Sequence, residues 1–275
     1  MLEQFLNEIF QTQNLFRYFF IFIILSNFLI IISLRLEIKQ GTKLKQMFNI
    51  ESLKKDISKI KTVLLIIAHP DDEIMFFTPT IKYLIKLGIK IKILCLSNGN
   101  YDKIGEIRTE EFKNVSKYLK LEDNELINIP ELQDDIKKFW NEKIVSDKIS
   151  DFLNRNNDIE TILTFDENGI TKHPNHISCY NGLVYYIKNN REDFKKKGIN
   201  VYLLDSFNPL FQYTFFIPFF AFYLREFGFS TWNFLTSYKI MSIYNSQFNW
   251  RRKLHVVFSS YSYCNSFIKV ELKDK

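Results

Sequence analysis

Cysteine is scarce and poorly placed for pairing: Cys95, Cys179 and Cys264 are an odd, widely spread set with no CxxC among them. That excludes a disulfide framework and a zinc ribbon, and a reducing compartment is the simpler home. Glycine (8) and proline (6) are few, and with 46% apolar and 16% aromatic residues the chain is neither disordered nor fibrous. Internal repeats and low-complexity tracts are absent. No basic groove-reading motif occurs, so the net charge of +6 and isoelectric point near 9.0 suit an anionic membrane surface or an acidic substrate better than nucleic acid. What the sequence does have is apolar length, enough in 275 residues for one domain of roughly 200 to 250 residues and an appendage.

The appendage is N-terminal. Residues 18–34, YFFIFIILSNFLIIISL, carry no charge and are near the shortest length that spans a bilayer as a helix. Glu3 and Glu8 stand against Arg17 upstream, and no small-x-small site follows, which argues for a retained anchor over a cleaved signal peptide. Arg35, Lys39, Lys43, Lys45, Lys54, Lys55, Lys59 and Lys61 outnumber Glu37, Glu51 and Asp56 downstream. The excess of positive charge orients the following chain to the cytosol. The expected organisation is a luminal tail and transmembrane anchor over 1–36, a basic linker over 37–61 and a cytosolic domain over 62–275.

Beyond the linker the pattern alternates strand and helix. TVLLIIA (62–68) is a buried-strand run of the kind found inside parallel sheets, followed by a helix over 79–87 with Thr78 as N-cap, Pro79 at its first position and Gly88 past its end. Further strands are expected at 89–96, 125–129, 159–165 and, last, 201–206, with helices at 106–119 and near 142–153. The fold class is therefore α/β, a Rossmann-like, mostly parallel sheet flanked by helices, with the N-terminal transmembrane helix attached.

Two polar clusters interrupt this apolar frame. The strand 62–68 runs directly into His69, Asp71, Asp72 and Glu73, and strand 159–165 runs into Asp166, His173 and His176. Ligands in open α/β sheets bind beyond the carboxyl ends of the strands. Taken alone, HPDDE suits a metal site, an acidic flank for the next helix, or a magnesium-binding acid pair. HPNH alone is a weak signal; Asn175 could cap the helix there. Together, at two strand ends, the clusters point to a metal.

AHPDDE (68–73), SNGNYDKIGEIRTEE (97–111) and TFDENGITKHPNH (164–176) resemble the PIG-L family of zinc-dependent de-N-acetylases. The likeness covers about residues 62–180 and returns weakly at 244–261. In one departure, Lys172 stands where a glycine or similar small residue commonly precedes the first histidine. The resemblance implies that His69, Asp72 and His176 bind Zn2+, another divalent metal being possible. It makes Asp71 the general base and His173 a general acid or oxyanion stabiliser. These roles suit amide hydrolysis, which needs a polarised carbonyl, a deprotonated water and a protonated amine. Asp166 is then placed to orient His173, and Glu73 to cap the helix or support the site from behind. Arg108, and Asp134 or Asp135 of LQDD, are the candidate contacts to sugar or phosphate; an exposed helix charge and ordinary turn acids are the competing readings.

The same resemblance implies a lipid-linked substrate, N-acetylglucosaminyl-phosphatidylinositol, in glycosylphosphatidylinositol anchor synthesis on the endoplasmic reticulum membrane, with one span and a cytosolic catalytic domain. The aromatic stretch 207–227 and the basic group Arg251, Arg252 and Lys253 beside Trp250 suit a membrane interface and anionic headgroups. Cys95, Cys179 and Cys264 read as core residues and His255 as structural. A deacetylase of another N-acetylglucosaminide and a non-catalytic membrane-tethered binding module are the alternatives. The first would need no anchor, and the second would tolerate degraded ligands.

Overall fold

Thr62–Ile67, apolar except for its first residue, forms β1 with every side chain buried, as a strand covered on both faces must be. In this computed structural model, which describes residues 21, 60–121, 123–207, 212–213, 227–230 and 234–271, β1 is the middle one of five parallel strands. It pairs in parallel with β2 (Lys90–Cys95) on one side and β4 (Thr161–Phe165) on the other. β3 (Glu125–Leu126) extends the sheet beyond β2, and β5 (Asn200–Leu204) extends it beyond β4, again in parallel. Two antiparallel strands, β7 (Cys264–Lys269) and β6 (Phe227–Ser230), follow β5, giving seven strands in the order β3-β2-β1-β4-β5-β7-β6.

Among the described residues the α-helices are α1 (Asp72–Lys86), α2 (Gly105–Leu119), α3 (Glu142–Arg155), the single turn α4 (Gly169–Lys172), α5 (Pro174–Asn189), α6 (Arg191–Lys197), α7 (Phe234–Met241) and α8 (Trp250–Phe258). The crossover β1-α1-β2 runs one way from the centre, and β4-α5-α6-β5 runs the other. Since such crossovers are right-handed, the two sets of helices lie on opposite faces, and a crevice opens at the carboxyl ends of β1 and β4. The expected Rossmann-like, mostly parallel sheet is present. The expected anchor (18–34) and linker (37–61) fall outside the described residues except for 21, 60 and 61, as does most of 207–227. Among the described residues no helix is long and apolar enough to cross a membrane.

Three expectations need correction. The helix after β1 begins at Asp72 rather than Pro79, so Pro79 lies inside it and the Thr78 hydroxyl bonds back to Ile74 O at 2.7 Å instead of capping. A proline there cannot donate to Met75 O; His255 Nε2 of α8 fills that place at 3.2 Å. Asn265 of β7 spans the next rung, donating to Phe76 O at 2.7 Å and accepting from Thr80 N at 3.2 Å. β3 is two residues long rather than five, at the end of the sheet order. Finally, β5 is not the last strand. β7 escaped notice because Asn265 and Ser266 break its apolar run, yet both are fully buried and bonded.

Candidate active site

Leaving β1, the chain turns through His69, Pro70 and Asp71 into α1. Asp71 has φ 104°, a conformation costly for a residue with a Cβ. Its amide donates to Glu73 Oε2 at 3.2 Å, and the Tyr244 hydroxyl donates to Glu73 Oε1 at 2.5 Å. Burial pushes the Glu73 carboxyl up to about 8. Glu73 thus supports the backbone of Asp71 from behind the site.

Asp72 Oδ2 accepts from the amides of Ala68 (3.1 Å) and His69 (2.8 Å). His176, in the first turn of α5, is stacked on Phe165 with ring centroids 4.1 Å apart. Its Nδ1 lies 3.1 Å from Gly169 O, which can only accept, so that nitrogen carries the hydrogen and Nε2 faces Asp72 Oδ1 at 3.3 Å. His69 is fixed by the same logic. Its Nε2 meets two acceptors, Asp134 Oδ1 at 3.2 Å and Asn175 Oδ1 at 3.1 Å, which leaves Nδ1 towards Asp72 Oδ2 at 3.7 Å. The Asn175 amide is oriented by accepting from Asp135 N and donating to Lys138 O. Burial would raise the Asp72 carboxyl, but His176 and His69 outweigh it and hold it below the usual range. Burial likewise opposes charge on His69, but Asp134 and Asp72 leave its pKa raised.

Ligand atoms of His69, Asp72 and His176 lie within 4.8 Å of one another, as do those of His69, Asp134 and His173. The first set is the better metal site. Each of its imidazoles donates its one N–H to an outer acceptor and keeps the lone pair of its other nitrogen for the centre, whereas the second would need His69 Nε2 to surrender its proton. Two nitrogens and a buried carboxylate, each with outer support, are a donor set that zinc accepts.

His173 stands beside this set, its ring centroid 5.0 Å from that of His69 and 4.9 Å from that of His176. It caps α5 itself, Nδ1 accepting from Asn175 N at 3.2 Å, so Asn175 is not the cap that the sequence suggests. Burial, with the neighbouring histidines, pushes His173 down to about 4. The preceding Lys172 has φ 58°, a left-handed conformation that glycine adopts freely and that strains a residue with a Cβ.

Arg108 is buried, not an exposed helix charge. Its Nη2 donates to Pro70 O (2.5 Å) and Asp71 Oδ1 (3.2 Å), its Nη1 donates to Gly99 O (3.0 Å), and Asp134 Oδ2 is 3.6 Å away. Gly99, at φ 68°, leaves the space: a Cβ there would stand 2.3 Å from Arg108 Nη1. Asp134 joins the site, but the Asp135 carboxylate turns back to Lys137 N at 2.8 Å as an ordinary turn acid. Asp166 makes no recorded bond to His173. It accepts from Asn168 N, Gly169 N and Ser206 N, and so fixes the Gly169 carbonyl that orients His176. The three cysteines are buried and free.

His69, Asp71, Asp72, Arg108, Asp134, His173 and His176 line a cleft of ≈ 420 Å³, and a wall from later in the chain, Gln212, Tyr213, Gln247, Arg251, Arg252 and His255, lines it too. Arg252 is tied into the cleft: its Nε donates to Asp71 Oδ2 at 3.1 Å. The sequence offers Arg251 and Arg252 for headgroups, His255 as structural and Asn175 as a cap; it gives no sign of Gln212, Tyr213 or Gln247 here, of the Tyr244 bond to Glu73 or of the tie from Arg252 to Asp71, because nothing in local spacing connects residues 181 positions apart. A larger hollow of ≈ 690 Å³, at Thr62 and Lys90 on the amino ends of β1 and β2, holds neither histidine nor cysteine.

Residues 64–187 match the family described as PIG-L: GlcNAc-PI de-N-acetylase. A probable N-acetylglucosaminyl-phosphatidylinositol de-N-acetylase of Dictyostelium discoideum is 33% identical over 244 residues, covering 77% of this chain and 94% of that protein. The Bos taurus enzyme is 33% identical over 74% of this chain and 81% of its own. The probable Schizosaccharomyces pombe enzyme is 39% identical over 56% of this chain, a match that spans only 60% of that protein's length. Among solved structures, N,N'-diacetylchitobiose deacetylase from Pyrococcus horikoshii shares the fold with a TM-score of 0.59 at 16% identity, over 79% of this chain and 86% of that one.

Proposed function

Because the chain belongs to the PIG-L family of GlcNAc-PI de-N-acetylases, we propose that it hydrolyses the acetamide of N-acetylglucosaminyl-phosphatidylinositol, yielding acetate and the glucosaminyl lipid of glycosylphosphatidylinositol anchor synthesis. The observation that carries this reading is the convergence of His69, Asp72 and His176 beside Asp71 and His173 in one cleft. His69, Asp72 and His176 would hold the metal, Zn2+ by the chemistry of that donor set. Bound there, it would supply the positive charge that polarises the acetyl carbonyl and acidifies an attacking water.

Asp71 takes the proton of that water as its oxygen bonds to the acetyl carbon, with Arg108 steadying one carboxylate oxygen and Arg252 the other. His173 is neutral at neutral pH, and the hydrogen on its Nε2, opposite the capping Nδ1, is a donor for the developing oxyanion rather than a preformed cationic acid. The carbon–nitrogen bond then breaks, and the proton held by Asp71 passes to the leaving amine. Asp134, held between His69 and Arg108, is placed to accept sugar hydroxyls.

The uncharged run 18–34 and its basic flank support a single-pass anchor in the endoplasmic reticulum membrane, with residues 62–275 in the cytosol. The test is to incubate the purified chain with N-acetylglucosaminyl-phosphatidylinositol and measure acetate. Release that stops with a chelator and returns with zinc is expected; release indifferent to metal, or none, overturns the reading.

A further inference from the structure

The two walls of the cleft differ in origin. His69, Asp71, Asp72, Arg108, Asp134 and His173 lie within the family-matched residues 64–187, and Arg252 crosses to them from the last quarter of the chain. It occupies the first turn of α8, where Asn249 Oδ1 caps the amides of Arg251 and Arg252. Arg251, Arg252 and Lys253 crowd that turn with no acid among them. Cations at the positive end of a helix repel its dipole and call for a nearby anion. Asp71 supplies one, but it is shared: Arg108 takes Oδ1 and Arg252 takes Oδ2.

The two arginines are otherwise unlike. The Arg108 side chain is 7% exposed, and both its terminal nitrogens are bonded. The Arg252 side chain is 33% exposed, lines the cleft and, among the described residues, bonds through Nε alone, to Asp71. A guanidinium tethered by one N–H is oriented in advance and leaves its Nη edge for a second acceptor, a geometry that matches two oxygens of a phosphate.

We propose that Arg252 is a specificity residue: Nε holds Asp71 while the Nη groups receive the phosphodiester of the substrate, setting the distance from phosphate to acetamide. The inference rests on the deacetylase reading above, and the experiment separates the two. With the full-length zinc-loaded protein, glycerophosphoinositol, which has the phosphodiester but no acetamide, is titrated calorimetrically against wild type, Arg252→Gln, Arg252→Lys and Lys253→Gln. Loss of a charge-assisted bidentate contact is expected to weaken binding roughly 10- to 100-fold in Arg252→Gln. Arg252→Lys falls between it and wild type, and Lys253→Gln, the same charge change outside the cleft, stays within about twofold.

In parallel, N-acetylglucosaminyl-inositol is compared with and without its phosphate. Arg252→Gln should raise KM for the phosphorylated form alone while lowering kcat for both by a common factor, through Asp71. Equal losses on both substrates with unchanged glycerophosphoinositol affinity would make Arg252 only a brace for Asp71 and overturn the proposal. So would inorganic phosphate binding as tightly as glycerophosphoinositol. Binding lost in Arg252→Gln, in a protein whose wild type releases no acetate, would sink the reaction and leave the phosphate contact standing.

Discussion

His173 and His176 look equivalent in HPNH, but the structure divides their work. His176 turns Nε2 to Asp72 and anchors Nδ1 on Gly169 O; His173 spends Nδ1 on capping α5. His176→Ala should therefore lose metal and activity together. His173→Ala and Asp71→Asn should keep the metal while kcat falls roughly 10²- to 10⁴-fold. Metal analysis of the folded variants beside their rates checks this, and the opposite pattern would reverse the assignment. At Gly99 the expected outcome concerns Arg108. Gly99→Ala puts a methyl group against the guanidinium at a backbone angle that alanine resists, so kcat/KM should drop by about tenfold or more through a misplaced Asp71. Thermal unfolding and metal content measured alongside would show whether the fold is kept.

α1 is the element where local signals and tertiary structure disagree. TP in the sequence reads as a helix start, and the acids before it as a loop; the chain instead begins its helix at Asp72 and lets other elements complete the rungs around Pro79. Asn265→Leu would leave Phe76 O without its buried donor and Thr80 without its acceptor, at about 1–3 kcal/mol for each group. Denaturant unfolding should show the loss. His255, the other support, is pushed down to about 4 by burial. The unfolded chain titrates this group near 6.5, so its stabilising effect is complete above that pH and declines as pH falls towards 4. Between pH 7 and 5 the residue should remove roughly 2 kcal/mol of stability, and His255→Gln, which does not titrate, should flatten that part of the pH–stability curve. An unchanged slope would mean that His255 takes up its proton in the folded state.

For the whole molecule, charge asymmetry makes a prediction about orientation. With arginine and lysine concentrated on the carboxyl side of residues 18–34, protease added to sealed microsomes should digest the domain beyond residue 61. Protection of that domain would place it in the lumen and contradict the cytosolic assignment. The two antiparallel strands at the sheet edge belong to this scale too, because β7 carries Asn265 to α1 and pairs with β5.

Much of this was legible in the sequence, for a physical reason. A strand buried on both faces must be an apolar run, so β1 and β4 announced themselves, and polar groups directly after such runs fall at the crevice. Hence His69, Asp71, Asp72, His173 and His176 could be named before any coordinates. Tertiary structure alone decided what depends on which surfaces meet: the bond between Asp134 and His69 that fixes a tautomer, the tie from Asp166 to Ser206, the Tyr244 hydroxyl on Glu73, and the second arginine on Asp71. Hydropathy and spacing encode contacts a few residues apart. They carry no record of Arg252 and Asp71, whose 181-residue separation is closed only when α8 packs beside α1, the helix that contains Pro79.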